Sequence, residues 1–253
     1  MEGPVFAQFD YDGLRPPKKK TTGIPDTAKV DEPFNPDNWV IFAKNISIKD
    51  GKVAVERDSK TPSVMGRFDE NHVILSQLNA TLRNTKLDSD TLTSEVDFSV
   101  IDRGGFKIKK FNSQFRMTPK SMEFSSLNIE TEKSKLRDYF AMYYESFNSD
   151  MNDFIHKVKM KGHFENSIIN SDELAYFAPD VKSWGTVFNI SGRVTGEVEN
   201  LTALDMVIKA GNENTLTGDL SLRGLPDVDE TFMDLRIGEM KTTMNELSKI
   251  IPD

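Results

Sequence analysis

The sequence contains no cysteine. That excludes a disulfide scaffold, a cysteine-based zinc site and a cysteine nucleophile. Histidine is scarce too, with three in 253 residues: His72, His156 and His163. No apolar run approaches the ~18 residues that a membrane-spanning helix needs; Trp39–Ala43 is typical of the longest. No basic-then-apolar leader opens the sequence. Positive charge is in the minority, 32 Lys and Arg against 40 Asp and Glu, for a net charge of −8. The one dense basic run, Lys18–Lys20, sits in a Pro-containing loop, which argues against nucleic acid as a partner. There is no G-x-S-x-G elbow, no phosphate-binding P-loop and no G-x-G-x-x-G turn.

What is present is alternation. The chain is 37% hydrophobic and 28% charged. That is enough for a core, but a thin or extended one. Residues 1–38 carry Pro4, Pro16, Pro17, Pro25, Pro33 and Pro36 and read as an irregular arm, with one short strand near Val5–Phe9. From Trp39 onward apolar residues recur at every second position. Asp50-Gly51 lies between Ile48 and Val53, the signature of a hairpin turn. Leu78, Ala80 and Leu82 form one apolar series; Leu92, Val96, Phe98 and Val100 form another. Arg103-Gly104-Gly105 and Thr118-Pro119-Lys120-Ser121 mark further turns. Phe154, Val158, Met160 and Phe164 alternate with Lys157, Lys159, Lys161 and His163, which predicts a strand holding both His156 and His163. The series continues through Phe188–Val198, Leu204–Ile208, Leu216–Leu222 and Met233–Ile237.

Two segments read as short capped helices. Asn170-x-x-Glu173-Leu174-x-x-Phe177-Ala178-Pro179 and Thr243-x-x-Glu246-Leu247-x-x-Ile250-Ile251-Pro252 each offer an N-cap, a Glu three places on and a terminating Pro. They lie 73 residues apart. This divides the chain into the arm at 1–38, a first β-rich region at 39–179 ending in a helix, and a second at 180–253 ending in a helix. The fold class is mainly β. It is either an elongated, curled antiparallel sheet of repeated short strands or a β-sandwich.

No group of side chains stands out as catalytic or metal-binding. Positions 156 and 163 fall on opposite faces of a regular strand. Asp150, Asp153 and His156 are spaced by three, but lack the glycine and terminal glutamate of a calcium loop. Gly192-x-x-x-Gly196 lies on a strand, where small residues mark a sharp bend or a close approach. N-x-S/T sequons occur at Asn45, Asn79, Asn189 and Asn200 and matter only in a eukaryotic secreted chain. The apolar stripes are either a plain core or a groove for acyl chains. Their mixed Phe, Met, Ile, Leu and Val content suits an adaptable surface.

Several stretches resemble a known family. Leu127–Leu136, with its Thr131-x-x-Ser134 step into the next strand, is one. Asp172-Glu173-Leu174-Ala175-Tyr176-Phe177-Ala178-Pro179 and Gly192-Arg193-Val194-Thr195-Gly196-Glu197-Val198-Glu199-Asn200-Leu201 are two more. Ile46–Gly51 resembles the strand-and-turn openings of the same repeats. Together they resemble the translocation and assembly module TamB and the related AsmA-like proteins over roughly residues 39–252. The resemblance implies an internal piece of a longer periplasmic chain, anchored in the inner membrane and engaged in outer-membrane biogenesis. It implies no enzymatic activity, no cofactor and no metal. The implied partners are phospholipid, neighbouring repeats and an outer-membrane β-barrel protein. Acyl chains would lie on one apolar sheet face, lined by Val96, Phe98, Val100, Phe140, Met142, Val158, Met160, Phe164, Phe188, Ile190, Val194, Val198, Leu204, Met206, Ile208, Leu220 and Leu222.

Overall fold

The computed structural model describes residues 6–10, 33, 35–56, 62–69, 71–211 and 214–243. Among these, one twelve-stranded sheet runs in strict sequence order. The strands are β1 (Phe6–Asp10), β2 (Ile41–Glu56), β3 (His72–Asp88), β4 (Thr91–Asp102), β5 (Lys107–Thr118) and β6 (Ser121–Glu130). Then follow β7 (Lys135–Tyr143), β8 (Lys159–Asn170), β9 (Val187–Gly196), β10 (Asn200–Ala210), β11 (Asn214–Arg223) and β12 (Phe232–Lys241). From β2 to β12 every neighbouring pair is antiparallel; β1 alone is parallel, against Lys52–Glu56. Among the described residues the sheet does not close into a barrel and no second sheet faces it, so the sandwich alternative is not adopted. At about 4.8 Å per strand, twelve strands extend about 50 Å. The sheet passes through positions 179 and 180 unbroken, since β8 pairs with β9.

The alternation is interrupted once in nearly every strand. Register shifts occur in each antiparallel pairing, at places such as Arg83/Lys86, Asn112/Gln114, Ser125/Leu127, Phe164/Ser167 and Leu204/Val207. The residues there adopt positive φ: Asn84, Ser126, Asp138, Asn166, Gly192, Asp205 and Gly218. Through the pairings these β-bulges line up across the sheet from the β5–β6 pair to β12. A bulge bends its strand and adds twist. A row of them makes one crease. Glycine is required where the approach is closest. A Cβ on Gly218 (φ 152°) would lie 2.0 Å from the Arg236 carbonyl oxygen, and one on Gly192 (φ 143°) 3.0 Å from the Met206 Cα.

A bulge frees backbone groups that must find other partners. Neighbouring side chains supply them. The Arg137 amide donates to Ser167 Oγ at 3.0 Å, and the Asn166 amide to Ser191 Oγ at 3.0 Å. The Asp205 amide donates to Asp219 Oδ1 at 2.9 Å, and the Asp50 amide to Asn79 Oδ1 at 3.1 Å. Ser113 and Ser94, both buried, donate to the carbonyls of Ser125 and Arg83.

Three sequence expectations change. Asp50-Gly51 is not a hairpin turn. Ile48 pairs with Ala80, Gly51 with Leu78 and Val53 with Leu75, so β2 continues through it and Asp50 (φ 49°) is a bulge residue. Asp-Gly tolerates positive φ, which a bulge needs as much as a turn does. The strand expected across Phe154–Phe164 begins only at Lys159; Phe147–Asp150 (α1) and Phe154–Lys157 (α2) are single helical turns, so His156 is not in a strand. Asp150 drives this change, accepting from the Glu145 amide at 2.7 Å and the Ser146 amide at 3.0 Å. The third concerns the helix expected from Asn170. It is one turn, Ser171–Leu174 (α3), with Asn170 as its N-cap, bonded to the Asp172 amide. Glu173 does not close a capping box: it accepts from Thr131 Oγ1 at 2.5 Å and the Lys133 amide at 3.1 Å. Pro179 opens a 3-10 helix over Pro179–Trp184 instead of ending the segment. The helix expected over Thr243–Pro252 lies outside the described residues beyond Thr243, as does most of the 1–38 arm. The short strand expected near Val5–Phe9 is present as β1.

The crease generates two opposite expectations for urea unfolding. Ser167→Ala leaves the Arg137 amide without its acceptor in a fully buried position and lowers stability by about 1–3 kcal/mol. Ser126→Gly relieves a non-glycine residue at φ 50° and is neutral or stabilising, by up to ~1 kcal/mol. Loss of stability in Ser126→Gly as large as in Ser167→Ala contradicts the assignment of the bulges.

Candidate functional site: the apolar face and its two rims

The register sorts side chains into rows that cross the sheet. One row reads Leu87, Leu92, Met117, Met122, Met142, Met160, Gly196, Leu201, Leu222, Met233. The next on the same face reads Ser94, Phe115, Phe124, Phe140, Gly162, Val194, Ala203, Leu220, Leu235. Beyond the crease, Ala80, Phe98, Phe111 and Ile129 lie in register, and Ser167, Ile190, Ile208, Leu216 and Met240 carry the row onward. The opposite face is charged, with pairs such as Arg83–Glu95, Arg116–Glu123 and His163–Arg193.

This apolar face is concave. Leu127 and Met206, beside the crease, are buried, and so are Phe111 and Ala203. Among the described residues no second layer lies over them, and burial without a second layer follows from a sheet bent toward this face. Away from the crease most apolar side chains are half-exposed. The rings interlock across strands: Phe98 stacks on Phe111 at 4.4 Å, Phe124 meets Phe111 edge-on at 5.5 Å, and Phe115 lies 5.3 Å from Phe124. Four methionines, one from each of β5 to β8, continue the surface in register. Unbranched and polarisable, methionine adapts to the shape of what it touches.

Each rim carries a strap. On one, the β8–β9 connection runs back toward β3. Lys133 pairs with Asp172 at 2.6 Å, Tyr176 Oη donates to Asp102, and the Phe68 amide bonds the Tyr176 carbonyl at 2.8 Å. Phe106 stacks on Tyr176 at 5.1 Å, and Phe68 and Phe177 complete the aromatic cluster. On the opposite rim the β7–β8 connection holds three turns together. Tyr144 bonds the carbonyls of Lys120 and Thr118, the Glu199 amide bonds the Ile155 carbonyl, and the Gly224 amide bonds the Glu199 carbonyl. Neither strap appears in the periodicity, because each is made of contacts between turns distant in sequence.

Most of the expected lining residues fall on this face: Val96, Phe98, Phe140, Met142, Met160, Phe188, Ile190, Val194, Met206, Ile208, Leu220 and Leu222 lie in or beside the rows above. Val100 pairs with Ile108 and is buried; the ring of Phe164 lies over Gly162. Leu204 does not join them. It is adjacent to Ala203 and pairs with Arg193, which puts it on the charged face, because Asp205 (φ 52°) resets the alternation before Met206. Val158 precedes β8, is fully buried and caps α2; Val198 lies in the turn before β10. The methionine row had one readable sign, the abundance of Met among the stripes, but its register did not show before the pairings were known.

Among the described residues one group has metal-ligand geometry, Asp138, His163 and Glu165 on the outer face. Asp138 already pairs with His163, and Arg193 lies opposite His163, setting a cation against any second one. His156 pairs with Asp153 at 2.5 Å. No helix among the described residues is long and apolar enough to cross a membrane. No family model, no curated protein and no solved structure matches this chain.

The first strap is testable through Tyr176. Burial first, and then its hydrogen bond to Asp102, hold the phenol above its ordinary value of 10.0. A raised value means that stabilisation is complete below pH 10 and is lost as pH rises through the folded value. Tyr176→Phe therefore unfolds about 1 kcal/mol more easily than the parent chain at pH 8. The gap narrows at strongly alkaline pH, as urea unfolding at both pH values will read. A gap that stays constant contradicts the strap.

Proposed function

We propose that this chain is a lipid-holding segment of a periplasmic bridge-like protein of outer-membrane biogenesis, of the kind represented by TamB and the AsmA-like proteins. Phospholipid acyl chains lie along the concave face while their headgroups remain in water. The observation that carries this reading is the continuous apolar surface that crosses the sheet, half-exposed away from the crease and paved with in-register methionines. A face of this extent needs an occupant. The physics is burial, worth ~0.8 kcal/mol for each CH₂ kept from water. No bond is made or broken, so the segment needs no catalytic group and no cofactor. Neighbouring repeats would extend the surface past β2, whose Ile41–Gly51 stretch β1 leaves uncovered, and an outer-membrane β-barrel protein would receive the lipid. A closed module that recognises protein or glycan through its loops has less support, since the sheet is a single open layer.

Native mass spectrometry with lipid extraction tests the reading. The purified chain carries one or more phospholipids. Met122→Asp combined with Met142→Asp, placed directly opposite each other on the apolar face, removes them. Lys161→Asp, on the charged face, does not. A folded, lipid-free parent chain sinks the proposal.

A further inference from the structure

Among the described residues β12 is the last strand of the sheet and bonds only β11. Natural edge strands are blunted by proline, by brevity, by a bulge or by a charge pointing inward. β12 has ten residues, no proline and no charge on its apolar face; its one irregularity is the bulge at Ile237–Glu239, opposite Thr217–Gly218, which a two-fold pair would set against its own copy. Met233, Leu235, Ile237 and Met240 continue the apolar rows to the edge, yet are 66%, 43%, 51% and 51% exposed. At the far end of the sheet β1 lies against Lys52–Glu56 of β2. Among the described residues β12 is the long edge strand left open along its whole length.

The outer face of β12 indicates what finishes it. Asp234, Arg236, Glu239 and Lys241 alternate in sign. In an antiparallel pair of two β12 strands about a two-fold axis, one register sets Asp234 opposite the partner's Lys241 and Arg236 opposite the partner's Glu239. By symmetry all four charges on each strand are matched. The same register sets Leu235 opposite the partner's Met240, so apolar side chains meet on the concave face. Ile237 meets the partner's Gly238, which has no side chain to face the wrong way. Slipping the register sets Arg236 against its own copy, or Asp234 against the partner's Glu239, and like charges directly opposite are unfavourable.

We propose that β12 is a self-association edge: two copies of this chain pair through antiparallel β12 strands, joining two sheets and their apolar faces into one. This stands whether or not that face holds lipid, because the contact is made by backbone groups and outer-face charges.

Sedimentation equilibrium of the full chain, with circular dichroism to verify folding, tests it. The parent chain is a reversible dimer. Asp234→Lys weakens the dimer by about tenfold or more, since it sets two like-charge pairs across the axis, while its neighbour in its own chain, Ser221, is uncharged. Asp234→Lys with Lys241→Asp restores it. A folded parent chain that stays monomeric at every concentration overturns the proposal. So does a dimer indifferent to Asp234→Lys, or one not restored by the exchange.

Discussion

The row of β-bulges is the constraint on which the rest of the structure depends. A single-layer sheet with one apolar face has nothing to bury that face against. It must bend. Here the bend is built strand by strand, by one residue at positive φ in most strands, and the bulges lie side by side because the strands are paired in order. Remove the alignment and each strand would kink at a different height, giving a rough sheet and no continuous concavity.

The crease also explains features that look unrelated. Small hydroxyl side chains at buried positions are ordinarily unfavourable on an apolar face. Ser94, Ser113 and Ser167 are there because bulged backbone needs partners on that side. The positive-φ positions are filled by Asn, Asp, Ser, Gln or Gly, the residues that reach that conformation at least cost. The two straps then fix the rims. Each ties turns separated by tens of residues, through Tyr176 on one side and Tyr144 on the other. The result, among the described residues, is a sheet held at its crease and along parts of both rims, with its apolar face open between them and its β12 edge unpaired.

Function enters through that openness. In a closed fold the methionine row would be core, and its adaptability would be a weakness of packing. On an open concave face the same property suits a ligand of variable shape, which is why the lipid-holding proposal rests on the row and not on any polar cluster. The polar clusters of the outer face are ion pairs between neighbouring strands.

Period-two alternation from Trp39 onward is a local property. Each side chain reports its own face, so β class, most turns and many of the side chains that share the apolar face were readable without coordinates. Val96, Phe98, Phe140 and Met142 are examples. Asp50-Gly51 and Leu204 show where that reasoning stops. A turn and a bulge ask for the same residue types, and a bulge reverses parity without leaving a distinctive mark. Whether an Asp-Gly ends a strand, or an Asp205 inverts one, depends on which residues of the neighbouring strand take up the backbone groups. That choice is made by long-range pairing. The same holds for the open single layer, the shared crease and the straps, because each is a relation between segments far apart in the chain, and alternation within any one segment is silent about it.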